Sequence, residues 1–283
     1  MLEPIDNANM ALALDLLVRG FPHRPLRFWE QALERVARYN ECSGRRTFGR
    51  LLTARGKPVG AMLTLSDNSQ LADGAQYTVT NLSSWYVDPD HRWLAPLMLR
   101  DMVRGEGEGI VFTDLTPSDR VLPMLPPLGF RPLNAGIAAV ALPLAAMSPR
   151  GDARVTGLEG LEDDALIPET RARLQRNVEF GAIAAVLRID DKHYPLLFVS
   201  RKLRQCPAAQ LIYCEDNEQL AKGISAVARF LLKKGKTVLL IDVPLNRQAP
   251  GLHFLNRGLK FAKGGCFDNR TDYAGSELLI VGQ

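Results

Sequence analysis

Cysteine and histidine are scarce, with four of each in 283 residues. Cys42, Cys206, Cys214 and Cys266 lie far apart and form no CxxC pair. That spacing excludes a paired-thiol redox motif and leads us to expect buried thiols in a reducing compartment. No two histidines share an HxxxH or similar ligand spacing, so no resident metal site is expected. A run of about 18 uninterrupted apolar residues is also lacking, which argues against a membrane-spanning helix. The N-terminal stretch "MLEPIDNANMALALDLLVRG" carries acids where a signal peptide needs a basic region, and a cytoplasmic protein is therefore expected.

The chain does have enough apolar content, 46%, for sizeable cores, and its length suits two domains of ordinary size. The net charge of +4 is uneven. Arg229, Lys233, Lys234, Lys236, Arg247, Arg257, Lys260, Lys263 and Arg270 are opposed by Asp242 and Asp268 alone. We read this segment as a solvated face and do not expect a nucleic-acid partner.

Local patterns suggest the elements. Asp6 or Asn7 can cap a first helix with Met10, Leu14 and Leu17 on one face. Pro25 opens a second, striped by Phe28, Trp29, Leu33 and Val36. "TFGRLLTA" and "PVGAMLTL" flank the turn "RGK" as a hairpin. "AQYTVTNLSSWYV" reads as a long strand, followed by a helix from Pro96 to Val103, a flexible "GEGEG" and a buried strand "IVFTD". Further strands, "FRPL" and "GIAAVALPL", precede a stretch of linker composition at residues 143–152.

The second half repeats this order. "IVFTDLTPSDRVLPMLPPLGFRPLNAG" aligns with "VLLIDVPLNRQAPGLHFLNRGLKFAKGG". Asp114 then meets Asp242, and Gly129-Phe130-Arg131 meets Gly258-Leu259-Lys260, an offset of 128 residues at the aspartates.

Over "VDPDHRWLAPLML" and "LGFRPL" the chain resembles the GNAT superfamily of acyl-CoA N-acyltransferases. Val87, Pro89 and Arg92 match its loop, while Ala95 and Leu97 replace its small residues; Gly129 and Phe130 match its closing strand. The resemblance implies an α/β (α+β) chain of two tandem GNAT-like domains, each a mixed, mostly antiparallel sheet flanked by helices. Residues 1–145 would bind acyl-CoA, and residues 151–283 would lack the pyrophosphate loop. It also implies transfer of an acetyl or other acyl group from acyl-CoA, acting as substrate, to a small-molecule amine; a homodimer is compatible with this reading.

A strand-to-helix loop directs backbone N–H groups and the helix dipole at one point, which suits a diphosphate. Val87, Asp88, Arg92, Trp93, Leu94, Ala95 and Leu97 are the expected cofactor contacts, with Arg92 supplying a charged fork. Pro96 removes one donor from this cradle, and Leu97 must either turn into the sheet or obstruct the phosphate. In the second half "CEDNEQL" places acids at the corresponding loop, where they repel a diphosphate.

The family's thiolate-protonating tyrosine corresponds to Leu125 in the first half and Phe254 in the second, so the usual acid is missing twice. Ser84 and Tyr86, expected on one face of their strand, and Asp114, at the carboxyl end of the next, are the nearby catalytic candidates. The alternative is a non-catalytic tandem protein that binds a ligand or another protein. The tandem arrangement also resembles aminoacyl-tRNA-dependent peptidyl transferases, in which case the basic segment would meet tRNA.

Overall fold

The structure, a computed structural model, describes residues 1–70, 76–104, 109–149, 151–162, 164–245, 253–255, 258–264 and 270–282. The chain begins with β1 (Leu2–Pro4), α1 (Met10–Gly20) and α2 (Leu26–Cys42). In α2, Trp29, Leu33 and Val36 recur at helical spacing and are buried, as the stripe implies, whereas Phe28 is only partly buried. Neither Asp6 nor Asn7 caps α1: Asn9 holds that position, while the Asp6 carboxylate accepts the Ala8 N–H at 2.9 Å in a preceding turn. Its buried face is Ala13, Leu16 and Leu17, rotated from the expected Met10, Leu14 and Leu17.

Next come β2 (Gly49–Ala54), β3 (Lys57–Gln70), β4 (Gln76–Val87), α3 (Ala95–Arg104) and β5 (Ile110–Asp114). The β2–β3 hairpin closes through Arg55 and Gly56, both at positive φ (50° and 75°), the conformation that matches strand twist in a two-residue turn. "GEGEG" falls largely outside the described residues. The chain continues through β6 (Arg131–Pro132), β7 (Gly136–Ala141), α4 (Leu142–Ala146), β8 (Arg154–Thr156), α5 (Pro168–Glu179), β9 (Ile183–Ile189), β10 (Lys192–Leu203) and β11 (Cys206–Cys214). It ends with α6 (Asn217–Lys222), α7 (Ile224–Lys233), β12 (Val238–Val243), β13 (His253–Leu255), β14 (Phe261–Lys263), β15 (Thr271–Asp272) and α8 (Glu277–Ile280).

Two sheets result, and they share one plan. The first runs β1-β2-β3-β4-β5-β14-β6; the second runs β8-β9-β10-β11-β12-β7-β13, with β15 added on β11. In each, the fourth and fifth strands pair in parallel and the others antiparallel. The β9–β10 hairpin repeats the turn geometry of β2–β3, with Asp190 and Asp191 at φ 49° and 60°.

The sheets exchange a strand. β14, late in the chain, lies beside β5, while β7 lies beside β12. One compact unit is therefore Met1–Pro132 with Lys260–Gly265 and Gly275–Gln283, and the other is Leu133–Leu259 with Cys266–Ala274. This division differs from the cut expected at residues 145–151, since β7 and α4 fall in the second unit. The presumed linker is helical from Leu142 to Ala146 because Leu142 is fully buried and the Arg229 guanidinium binds the Ala146 carbonyl at 3.0 Å.

The first core gathers Met62, Leu82, Met98, Leu99, Met102, Phe112, Phe130 and Phe261; the second gathers Leu187, Leu196, Phe198, Leu211, Val227, Leu231 and Leu239. Each such side chain contributes about 1.5–3 kcal/mol on leaving water. Two compositional readings need correction. Cys42 and Cys206 are exposed and Cys214 alone of the described cysteines is buried, with Cys266 outside the described residues. The basic segment is not one face: Lys260 is 1% exposed, Lys236 binds the Ser200 hydroxyl at 2.8 Å, and Arg270 pairs with Asp272 at 3.2 Å. Arg247 and Arg257 lie outside the described residues. Among these residues no helix is long and apolar enough to cross a membrane, and no cluster of three or more metal-ligating side chains occurs.

Candidate active site

In the first unit the parallel ladder of β4 and β5 ends at Asn81 and Thr113, while β4 runs on to Val87. β5 itself ends at Asp114, and beyond the ladder β4 carries a bulge against β3. Opposite β3, Ser83 pairs with Leu63 and Tyr86 with Ala61, so that Ser84 and Trp85 face Met62 alone. Ser84 adopts φ 48°, a left-handed conformation that costs a side-chain-bearing residue about 1–2 kcal/mol. Such an inserted residue bends its strand and re-aims the side chains beyond it. Ser84 and Tyr86 therefore do not share a face by simple alternation, and Ser84 stands outside the ladder.

Asp114 closes β5 at this strand end. Its carboxyl is pushed up to about 7, first by burial and then by the Glu277 charge, against a bond from the Thr116 N–H. A carboxyl poised near neutrality is suited to accept a proton from an amine. Sequence reasoning missed two neighbours. The Asn81 side chain donates to the Thr113 carbonyl and hydroxyl, both at 3.3 Å, and accepts the Glu277 N–H at 2.8 Å. The Thr116 hydroxyl donates to the Glu277 carboxylate at 2.6 Å. No local pattern marks Glu277, whose role rests on the path of the distant C-terminal segment.

Tyr86 sits against the last turn of α1; a Cβ on Gly20 would fall 2.4 Å from its ring. Burial and a hydrogen bond to Asp88 hold its phenol protonated, while Arg19 and Arg92 oppose that shift. Asp88 in turn accepts from Arg19 at 3.0 and 3.1 Å. Tyr86, Asp88, Arg19 and Arg92 thus form one charged group at the end of β4.

The loop itself differs from expectation. Pro89–Leu94 winds as a 3-10 helix that passes directly into α3. The His91 N–H donates to the Asp88 carbonyl, and the Ala95 N–H to the Arg92 carbonyl. Without the family's small residues nothing holds this stretch open, so these two amides are consumed within the turn. Val87 is buried, Asp88 and Leu94 are partly buried, Arg92 is exposed, and Trp93 and Leu97 are 69% and 39% exposed. Leu97 therefore does not turn into the sheet. Leu125, which occupies the sequence position of the family's tyrosine, is fully buried in the core. The Phe254 side chain lies outside the described residues.

The second unit gains a strand at the corresponding place. Its parallel ladder ends at Gln210 and Leu240, and β15 then pairs with Tyr213 and Cys214. Because β10 holds the other edge of β11 at those residues, β15 occupies the edge that β12 leaves. Asp216 accepts the Glu218 and Gln219 N–H groups at 2.8 and 3.2 Å, satisfying amides that an anion would need. Asp242, the counterpart of Asp114, accepts from the Tyr273 hydroxyl at 2.6 Å.

No protein-family model and no curated protein matches this chain. Its fold does match solved structures. A GCN5-related N-acetyltransferase from Anabaena variabilis aligns with a TM-score of 0.58 at 8% identity, over 93% of this chain and 72% of that one. A putative acetyltransferase from Pyrococcus horikoshii gives 0.56 at 11% identity, over 97% and 95%. A GCN5-related N-acetyltransferase from Kribbella flavida gives 0.55 at 13%, over 93% and 70%. The chain thus has the fold of the GCN5-related N-acetyltransferases. It carries that fold in two tandem units, each a mixed, mostly antiparallel sheet flanked by helices; in the second, β15 is added beside β11 beyond the end of the parallel ladder.

Proposed function

We propose that the first unit is an acyl-CoA-dependent N-acyltransferase acting on a small-molecule amine. The observation that carries this reading is Asp114, a carboxyl raised to about 7 at the end of β5, where the parallel ladder stops at Asn81 and Thr113 while β4 continues to Val87. An acyl-CoA thioester lies between those ends, and its diphosphate meets the start of the helical run at Pro89–Leu97, where Arg92 supplies charge. Asp114 takes the proton of the attacking amine, and Tyr86, a protonated phenol, is the donor toward the departing thiolate.

Thiol release from acetyl-CoA with a panel of amines tests this. Asp114→Asn is expected to lower kcat/KM by at least about 100-fold; an unchanged rate rejects the assignment. A second reading, binding without transfer, is favoured by the buried Leu125 and by the amides wound into the 3-10 turn. Saturable acetyl-CoA binding with no thiol release from any amine would establish it.

A further inference from the structure

We infer that Glu277 is a positioning residue for Asp114, fastened through Thr116 and Asn81, so that the site of the first unit is completed by the C-terminal segment. The inference rests on the proposed role of Asp114 and extends it to a second stretch of chain. Thr116 and Glu277 are 161 residues apart in sequence yet share a 2.6 Å hydrogen bond.

Both ends of Glu277 are held. Its N–H donates to Asn81, the last β4 residue in the parallel ladder, and Asn81 is tied to Thr113 of β5. Its carboxylate accepts from Thr116, two residues beyond Asp114. The helix that begins at Glu277 is anchored at its far end by Arg35, which donates to the Ile280 and Leu279 carbonyls at 3.0 and 3.4 Å. Just before it, Gly275 (φ 67°) packs so closely on Tyr39 that a Cβ would come 2.2 Å from the phenol oxygen. The carboxylate is thus fixed in place by contacts on both sides.

β14 places Phe261 opposite Asp114, preceded by the buried Lys260 and followed two residues on by Lys263, and Asn81 of β4 binds the adjoining Thr113. Among charged groups, Glu277 is the one whose field raises the Asp114 carboxyl. Two carboxylates in one partly dehydrated site cannot both ionise freely, so the second keeps the first protonated to higher pH. Glu277 thereby adds to burial, the larger cause, in raising Asp114 toward neutrality.

The test is a carbon-13 carboxyl titration of aspartate-labelled full-length protein, with Asp114 assigned from the Asp114→Asn spectrum. The wild-type midpoint is expected near 7. In Glu277→Gln it falls by about 0.5–1 pH unit. Glu277→Asp, which keeps the charge, restores most of the shift. Thr116→Val, which leaves the C-terminal backbone intact, moves the midpoint the same way as Glu277→Gln and decides the matter if that variant fails to fold. An ordinary midpoint near 4 in the wild type, or the same midpoint in the wild type and the variants, overturns the inference. The titration needs no acyl-CoA, so absence of cofactor binding sinks the transferase reading and leaves this one standing.

Discussion

The Tyr273 hydroxyl donates to the Asp242 carboxylate across 2.6 Å, whereas Asp114, at the matching strand end of the first unit, has the Glu277 charge as its neighbour. One aspartate is tied by a phenol from the unit's own tail and the other is left in a range where it can exchange protons. Tyr273→Phe is therefore expected to cost about 1–2 kcal/mol of stability. It should leave thiol release unchanged. Urea denaturation and the transfer assay together check this, and a parallel loss of activity would place the chemistry in the wrong unit.

Asp114 also predicts a pH effect on folding. Its folded value, about 7, lies above the ordinary 3.8. A raised carboxyl stabilises the fold below its unfolded pKa, and that contribution is lost as pH rises from about 4 through 7. Asp114→Asn removes the titration. The variant should match wild type near pH 4 and exceed it by about 4 kcal/mol at pH 8, as read by urea denaturation at both pH values. Equal stability at pH 8 would mean that the carboxyl is not raised.

Ser84 separates a backbone role from a side-chain one. Glycine adopts φ 48° freely, so Ser84→Gly should retain transfer and gain about 1 kcal/mol. Ser84→Val, branched at Cβ, should lose about 1–2 kcal/mol or more and flatten the bulge. Loss of activity in the glycine variant with its fold intact would instead make the hydroxyl catalytic.

Asp272 anchors the plug in the second unit. It is fully buried and receives Arg173 at 2.7 and 3.2 Å and Arg270 at 3.2 Å, with Arg173 also stacked 4.9 Å over the Tyr213 ring. Replacing Asp272 with Asn leaves two cations short of a counter-charge, and a loss of about 3–5 kcal/mol is expected in chemical denaturation. A loss below about 1 kcal/mol would show the pair to be dispensable.

Much of this architecture is legible in the sequence, and the failures have definite causes. The hairpin at the "RGK" turn, most of the α2 stripe and the buried strand ending at Asp114 come from periodicity and turn chemistry, while the parallel pairing of that strand appears only in the structure. The alignment of Asp114 with Asp242 correctly signals two similar sheets. It cannot show that β7 and β14 change places, because either strand satisfies the same antiparallel edge. Alternation also fails at Ser84, since one inserted residue reverses the faces downstream, and Glu277 reaches Asp114 through a fold-level path that no local window contains. The loop departs for a chemical reason: Leu94-Ala95-Pro96-Leu97 continues a helix where small residues would hold the backbone apart.

That departure suggests a gain-of-binding variant. Ala95→Gly combined with Leu97→Gly weakens the helical propensity by about 1 kcal/mol per site and removes an exposed bulky side chain. Acetyl-CoA binding is expected to tighten about tenfold, equivalent to about 1.4 kcal/mol. Unchanged affinity would mean that the diphosphate does not contact this turn.

The most direct test of the account is isothermal titration of acetyl-CoA into wild-type protein and Arg92→Ala. We expect saturable binding to the wild type with a dissociation constant on the order of 100 µM, weakened about tenfold by loss of the guanidinium. No heat from either protein at millimolar acetyl-CoA would contradict the assignment of the first unit as an acyl-CoA site.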